Sequence, residues 1–297
     1  MDKTIPQIYD LLSPGCYGFK HEIRAGWSQE YLLISDLHFD AVNCKRQTLK
    51  RHLDQALEKG APVCLFGDAF DIMMTRQDPR GSHRALRQEY AGDDNYIFNV
   101  CKSLAEFLAP YADVVQLITT GNHELQYLRR HELDPLSVLA SQMQVISGKA
   151  PTIGPYVGWI VFFFHYPSGG RRHSLKLRWA HGSSGSAPVT RGTIQTARAL
   201  ASHPSADIYY QGHRHHRWFM ELPFEDITAQ GRILSDQRKY FLQGGCYVQD
   251  NLDPMSFGQQ RGFSTAAVGG WWLRLTNPAK TGNTTTSRVR MQAIMTD

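Results

Sequence analysis

Five short blocks hold the residues that could do chemistry: DLH at 36–38, GDAFD at 67–71, GNHE at 121–124, HG at 181–182 and GHRH at 212–215. Carboxylate, imidazole and amide are the side-chain groups that ligate divalent first-row metals. Asp36 and His38 stand two apart, as do His213 and His215. In an extended backbone each pair points to one side, with Leu37 or Arg214 facing away. Taken singly each block is weak, because a turn carboxylate beside a partly buried histidine accounts for D-x-H equally well. Their order along one chain is harder to ascribe to chance.

Each block begins where an apolar run turns polar. EYLLISDLHF (30–39), APVCLFGDAFD (61–71) and VVQLITTGNHE (114–124) all have this form. Continuous apolar runs of this length read as strands covered on both faces. Ligand sites in α/β sheets lie beyond the carboxyl ends of the strands, where these polar residues fall. Between the first two runs, CKRQTLKRHLDQALEKG (44–60) predicts a helix with Leu49, Leu53 and Leu57 on one face and Gly60 as its C-cap. Later strand-like runs include GWIVFFFHY, SLKLRWAHG, DIYYQGHRHH, KYFLQGGCYV and GGWWLRLT, with one helical segment, TIQTARALASH. The expected fold is α/β, two facing mixed β-sheets flanked by helices. A single domain over 1–297 is expected, with a helical cap insertion at about 72–113, where Arg80, Arg84 and Arg87 would share a helix face.

Composition sets the class. The chain has 297 residues, 42% hydrophobic and 20% charged, enough for a substantial core without staples. Five scattered cysteines with no CxxC pair argue against a zinc knot or a disulfide framework and for an intracellular, cytoplasmic protein. The N-terminus has no signal-peptide pattern, and WIVFFF is too short to span a bilayer. A net charge of +5 is compatible with a phosphate-rich partner without demanding one.

Together the blocks resemble the calcineurin-like metallophosphoesterase superfamily, whose pattern is D-x-H, G-D-x-x-D, G-N-H-[DE], a later H, and G-H-x-H. The resemblance spans residues 36–215. It implies a four-layer sandwich holding two divalent metal ions (Mn, Fe or Zn, with Mn favoured). Asp36, His38, Asp68 and His215 would hold one ion; Asp68, Asn122, His181 and His213 the other. A hydroxide activated between them would attack phosphorus, His123 would protonate the leaving oxygen, and Asp71 would orient His123. His165 is a rival for His181, but only His181 precedes the expected glycine. Glu124 reads as a supporting residue, Trp271 and Trp272 as core and rim, and His21, His52, His83, His131, His173 and His203 as surface residues.

Ile72 and Thr120 stand where the protein phosphatases of the superfamily carry phosphate-clamping arginines, which argues against that branch. The implied activity is a phosphodiesterase, nuclease or nucleotide-directed, on a phosphate-ester substrate that includes nucleic acid or nucleotide. A phosphomonoesterase or pyrophosphatase acting on a small phosphorylated metabolite would use the same ligands. An inactive partner-binding scaffold would be expected to have lost some, and every position here is filled. Arg84, Arg87 and Arg214 are candidates for substrate phosphate, as is the basic stretch at 169–179; the competing reading is solvated charged faces. The oligomeric state is open.

Overall fold

The computed structural model describes residues 4–72, 87–90, 95–167, 173–182, 192–249, 268–277 and 289–297. Its strands are β1 (Tyr9–Asp10), β2 (Cys16–Glu22), β3 (Trp27–Ile34), β4 (Val63–Phe66), β5 (Val115–Thr119), β6 (Thr152–Gly154), β7 (Val157–His165), β8 (His173–Ala180), β9 (Ile208–Gln211), β10 (Trp218–Ile227), β11 (Ile233–Gln243), β12 (Trp271–Asn277) and β13 (Arg290–Met295). Its helices are α1 (Arg46–Lys59), α2 (Tyr96–Leu108), α3 (Asn122–His131), α4 (Pro135–Ser147) and α5 (Thr193–Ser202). One mixed sheet runs in the order β1-β2-β7-β8-β9-β11-β10, the other β13-β12-β3-β4-β5-β6.

The period of two along the strands makes the layers. In β3, Tyr31 and Leu33 point between the sheets, where Phe19, Phe66, Phe162, Trp179, Tyr210 and Trp271 join them. Leu32 and Ile34 point the other way, onto Leu49 and Leu53 of α1, Leu104 of α2 and Leu139 of α4. On the far side, Tyr209 and Phe241 meet Leu200 of α5. The result is helices, sheet, sheet and helix, the α/β sandwich expected from the sequence.

Detail departs from the sequence reading in informative places. In α1 the buried face is Leu49, His52, Leu53 and Ala56, while Leu57 is 42% exposed. The spacing of four drifts around a helix of 3.6 residues per turn, so the third leucine leaves the face. Gly60 does cap α1 in the left-handed region, at φ 61°. Neither His21 nor His52 is a surface residue: His21 Nε2 lies 2.6 Å from the Tyr31 hydroxyl, and His52 bridges the Tyr247 hydroxyl and Asp297 O. Of the stretch expected to form a cap, 73–86 and 91–94, with Arg80 and Arg84, lie outside the described residues. His83 and part of the 169–179 patch do too. The helix α2 from that same stretch packs Val100, Leu104 and Leu108 into the outer core. The outermost strand β10 contains Pro223, a residue that edge strands accommodate because its missing N–H faces no ladder partner there.

Phe162 is fully buried between the sheets. Phe162→Ala is expected to lower unfolding free energy by about 3–5 kcal/mol in a urea titration. Burial and the neighbouring His165 push His21 down to about 4. Between that value and an unfolded value near 6.5, the unfolded chain takes up a proton that the native one refuses. Stability therefore falls as pH drops through this window, by about 3 kcal/mol at its end. His21→Gln is expected to flatten that slope in urea titrations at pH 7 and pH 4.5.

Candidate metal centre

The strands β3, β4 and β5 are parallel, so the loops leaving their carboxyl ends emerge at one edge. The first two loops carry Asp36 and Asp68, and the third leads directly into Asn122, the first residue of α3. From the facing sheet, parallel β8 and β9 deliver His181, His213 and His215 to the same place. His165 ends β7, whose antiparallel pairing with β8 sets Val157 beside Ala180 and Phe164 beside His173. At ~3.4 Å per residue, His165 is at the opposite end of the sheet, roughly 25 Å from His181.

The ligand loops are not extended. Asp36, His38, Asp68, His213 and His215 all have positive φ, at 56°, 45°, 51°, 70° and 55°. The left-handed region costs an L-residue about 1–2 kcal/mol, and Asp and His are among the types that tolerate it best. Such strain persists only where surrounding structure over-determines it. Here the loops hold one another: Asp36 N–H donates to Gly67 O, His38 N–H to Asp68 O, and Tyr247 N–H to Asp36 O. His213 N–H donates to the Asp36 carboxylate, 3.0 Å from each oxygen.

Three groups of side chains bring ligand atoms within 4.8 Å of one another: Asp36, His38 and His215; Asp68, His181 and His213; and His38, Asp68 and His123. Asp36 and Asp68 are 0% and 1% exposed. Asp68 Oδ2 lies 3.0 Å from His181 Nε2, 3.8 Å from His123 Nε2 and 3.9 Å from His38 Nε2. Asp36 Oδ1 is 3.4 Å from His215 Nε2, and Asn122 Oδ1 is 3.0 Å from His181 Nε2.

The far nitrogens of these rings say what the near ones can do. His181 Nδ1 sits 2.9 Å from Phe66 O, which can only accept, so Nδ1 carries the hydrogen. Nε2 of the neutral ring then turns a lone pair toward Asp68 Oδ2 and Asn122 Oδ1. His38 repeats the pattern: Nδ1 is 3.1 Å from the Asp71 carboxylate, and Nε2 faces His215 Nε2 at 3.2 Å. Converging lone pairs require a proton or a cation between them. Metal-ligating histidines characteristically give their other N–H to a carboxylate or a main-chain carbonyl, so the donor set fits divalent ions.

Without a metal, protons must take that place. Burial pulls His181 down, but the charge and hydrogen bond of Asp68, aided by Asp36, carry it up to about 10. Burial also lowers His38, and Asp71 with Asp68 reverses this to about 9. Burial would raise Asp68, yet His181 and His123 hold it well below the usual carboxylate range.

The contact expected between Asp71 and His123 takes another form. His123 Nδ1 lies 2.5 Å from the main-chain oxygen of Asp71 and 3.7 Å from its carboxylate, which is spent on His38. Glu124, fully buried, is a supporting residue in a definite sense: Oε2 accepts from Gly121 N–H and Asp68 N–H, and Oε1 from Phe70 N–H. It ties the third ligand loop to the second.

Of the arginines, Arg87 donates to Ala41 O and Cys44 O. Arg214 is buried and directs Nη1 to Gly192 O, while Arg84 lies outside the described residues. Arg217 is engaged by Thr296. Sequence reasoning missed Asp40 and Tyr96. The carboxylate of Asp40 accepts from Asp71 N–H at 2.6 Å, from Ile72 N–H at 3.0 Å and from the Tyr96 hydroxyl. An aspartate set between Phe39 and Ala41 in an apolar context was the available signal.

No family model matches the chain, and no curated protein matches it. Several solved structures are similar in part, two of them as follows. One is a conserved uncharacterized protein of Streptococcus pneumoniae described as a predicted phosphoesterase, with 12% identity, TM-score 0.30, and coverage of 91% of this chain and 99% of that one. The other is GAP50, described as the anchor in the inner membrane complex of Plasmodium, with 10% identity, TM-score 0.40, and coverage of 84% and 81%. Among the described residues, no helix is long and apolar enough to cross a membrane. The functional reading rests on the site's own side chains.

A Cβ on Gly121 would lie 2.1 Å from Asp68 Oδ1 and 2.2 Å from Asp68 N. Gly121→Ala is therefore expected to displace Asp68 and weaken divalent-metal binding by about 10–100-fold in titration calorimetry.

Proposed function

We propose that the chain is a divalent-metal-dependent phosphoesterase that hydrolyses phosphodiester bonds, as a nuclease or nucleotide-directed enzyme. The observation that carries this reading is the buried Asp68 carboxylate, shared between two of the groups of ligand atoms. Asp36, His38, Asp68 and His215 would hold one ion, and Asp68, Asn122, His181 and His213 a second. Bound divalent ions would supply positive charge for phosphoryl oxygens and would lower the pKa of water enough for hydroxide to be available at neutral pH.

The chain's own residues do the rest. Burial of Asp36 and Asp68 keeps bulk water from screening their charge. His123 is held at Nδ1 by Asp71 O, which leaves Nε2 as the atom to carry a proton to the leaving oxygen as the P–O bond breaks. Tyr156 steadies His181 from the other side: its carbonyl accepts the His181 N–H, and its hydroxyl donates to Gly182 O. The net charge of +5 suits a polyanionic substrate.

Hydrolysis of bis(p-nitrophenyl) phosphate is expected with Mn²⁺ and is expected to disappear on adding chelator. Inactivity with Mn²⁺, Fe²⁺ and Zn²⁺ alike would sink the reading. His123→Asn should retain metal by elemental analysis while lowering turnover of a diester with a poor leaving group by about 10²–10⁴-fold.

A further inference from the structure

The turn that follows the second ligand loop contains an unusual residue. Ile72 is β-branched, yet its φ is 38°. A β-branched side chain in this region is a genuine outlier, and something must hold it there. What holds it is Asp40, 1% exposed, whose Oδ1 and Oδ2 accept the consecutive N–H groups of Asp71 and Ile72 at 2.6 and 3.0 Å. The Tyr96 hydroxyl, from α2, donates to the same Oδ2.

The peptide joining Asp71 to Ile72 is planar and trans, so its N–H and C=O point in opposite directions from one rigid plate. Its N–H edge is bound by Asp40, and its carbonyl edge receives His123 Nδ1 at 2.5 Å. Turning the plate would break both contacts together. A carboxylate on the N–H also polarises the amide and makes its carbonyl a better acceptor.

We propose that Asp40, braced by Tyr96, is a positioning residue for His123. It acts through the 71–72 peptide, fixing the imidazole with hydrogen on Nδ1 and Nε2 turned to the cluster. Neither residue need touch substrate. The kinetic arm of this inference rests on the phosphoesterase reading; the structural arm does not.

The test is long-range ¹H–¹⁵N NMR of the histidine side chains in metal-free full-length protein, with His123→Asn used to assign the His123 ring. Wild type is expected to show His123 as a single Nδ1–H tautomer. Asp40→Asn, whose amide offers one acceptor where two are needed, is expected to give a tautomer mixture. Tyr96→Phe, a milder change should Asp40→Asn fail to fold, is expected to give a smaller shift the same way. An unchanged tautomer in both variants overturns the inference, whatever the enzyme does. In the kinetic arm, Asp40→Asn should raise the ratio of rates on good- and poor-leaving-group diesters by about tenfold, because only the poor leaving group needs the proton. If wild type hydrolyses neither diester while the tautomer is lost in Asp40→Asn, the proposed function falls and the positioning role stands.

Discussion

Two buried carboxylates face imidazole nitrogens closely, Asp68 Oδ2 at 3.0 Å from His181 Nε2 and Asp36 Oδ1 at 3.4 Å from His215 Nε2. Transferring such groups out of water is expensive unless positive charge meets them. Protons on His38 and His181 can meet the need; so can divalent cations, for which the rings are already turned. The rest of the architecture follows from keeping these groups together. Parallel strands bring three loops out at one edge, the facing sheet brings two more, and hydrogen bonds between loops hold backbone angles that isolated peptides would avoid.

The supporting residues divide that work. Glu124 binds three amides from two loops, and Asp40 binds two consecutive amides of one loop and a hydroxyl from α2. Each carboxylate fixes backbone rather than ligand. Placement of the ligand atoms therefore depends on groups that never point into the cluster, and on the narrow clearance between Gly121 and Asp68.

Much of this was legible in the sequence, and the reasons are physical. Apolar runs ending in Asp, Asn or His locate strand ends because side-chain burial and strand length are local properties. The sandwich follows because those runs alternate with only a few amphipathic segments. Backbone conformation at the ligands was not legible: D-x-H reads as extended, and it becomes left-handed at both Asp36 and His38 only because loops distant in the chain bind it. Asp40 and Tyr96 are 56 residues apart, so no local pattern joins them. His21 and His52 look like surface residues until Tyr31 and Tyr247 are seen to pair with them. Leu57 fails for a simpler reason, since a period of four is not the period of a helix.

The sheet margins are also shaped by chemistry. One sheet begins with a strand of only two residues and finishes with one that contains Pro223; the other finishes, beyond β5, with three residues. Unpaired strand borders can recruit foreign chains through their open amides and carbonyls. Short or proline-containing borders offer little purchase for such templating. A molecule that assembles its cluster of carboxylates and imidazoles from two open sheets thus carries, at three of the four margins formed by the described residues, a guard against fibrillar growth.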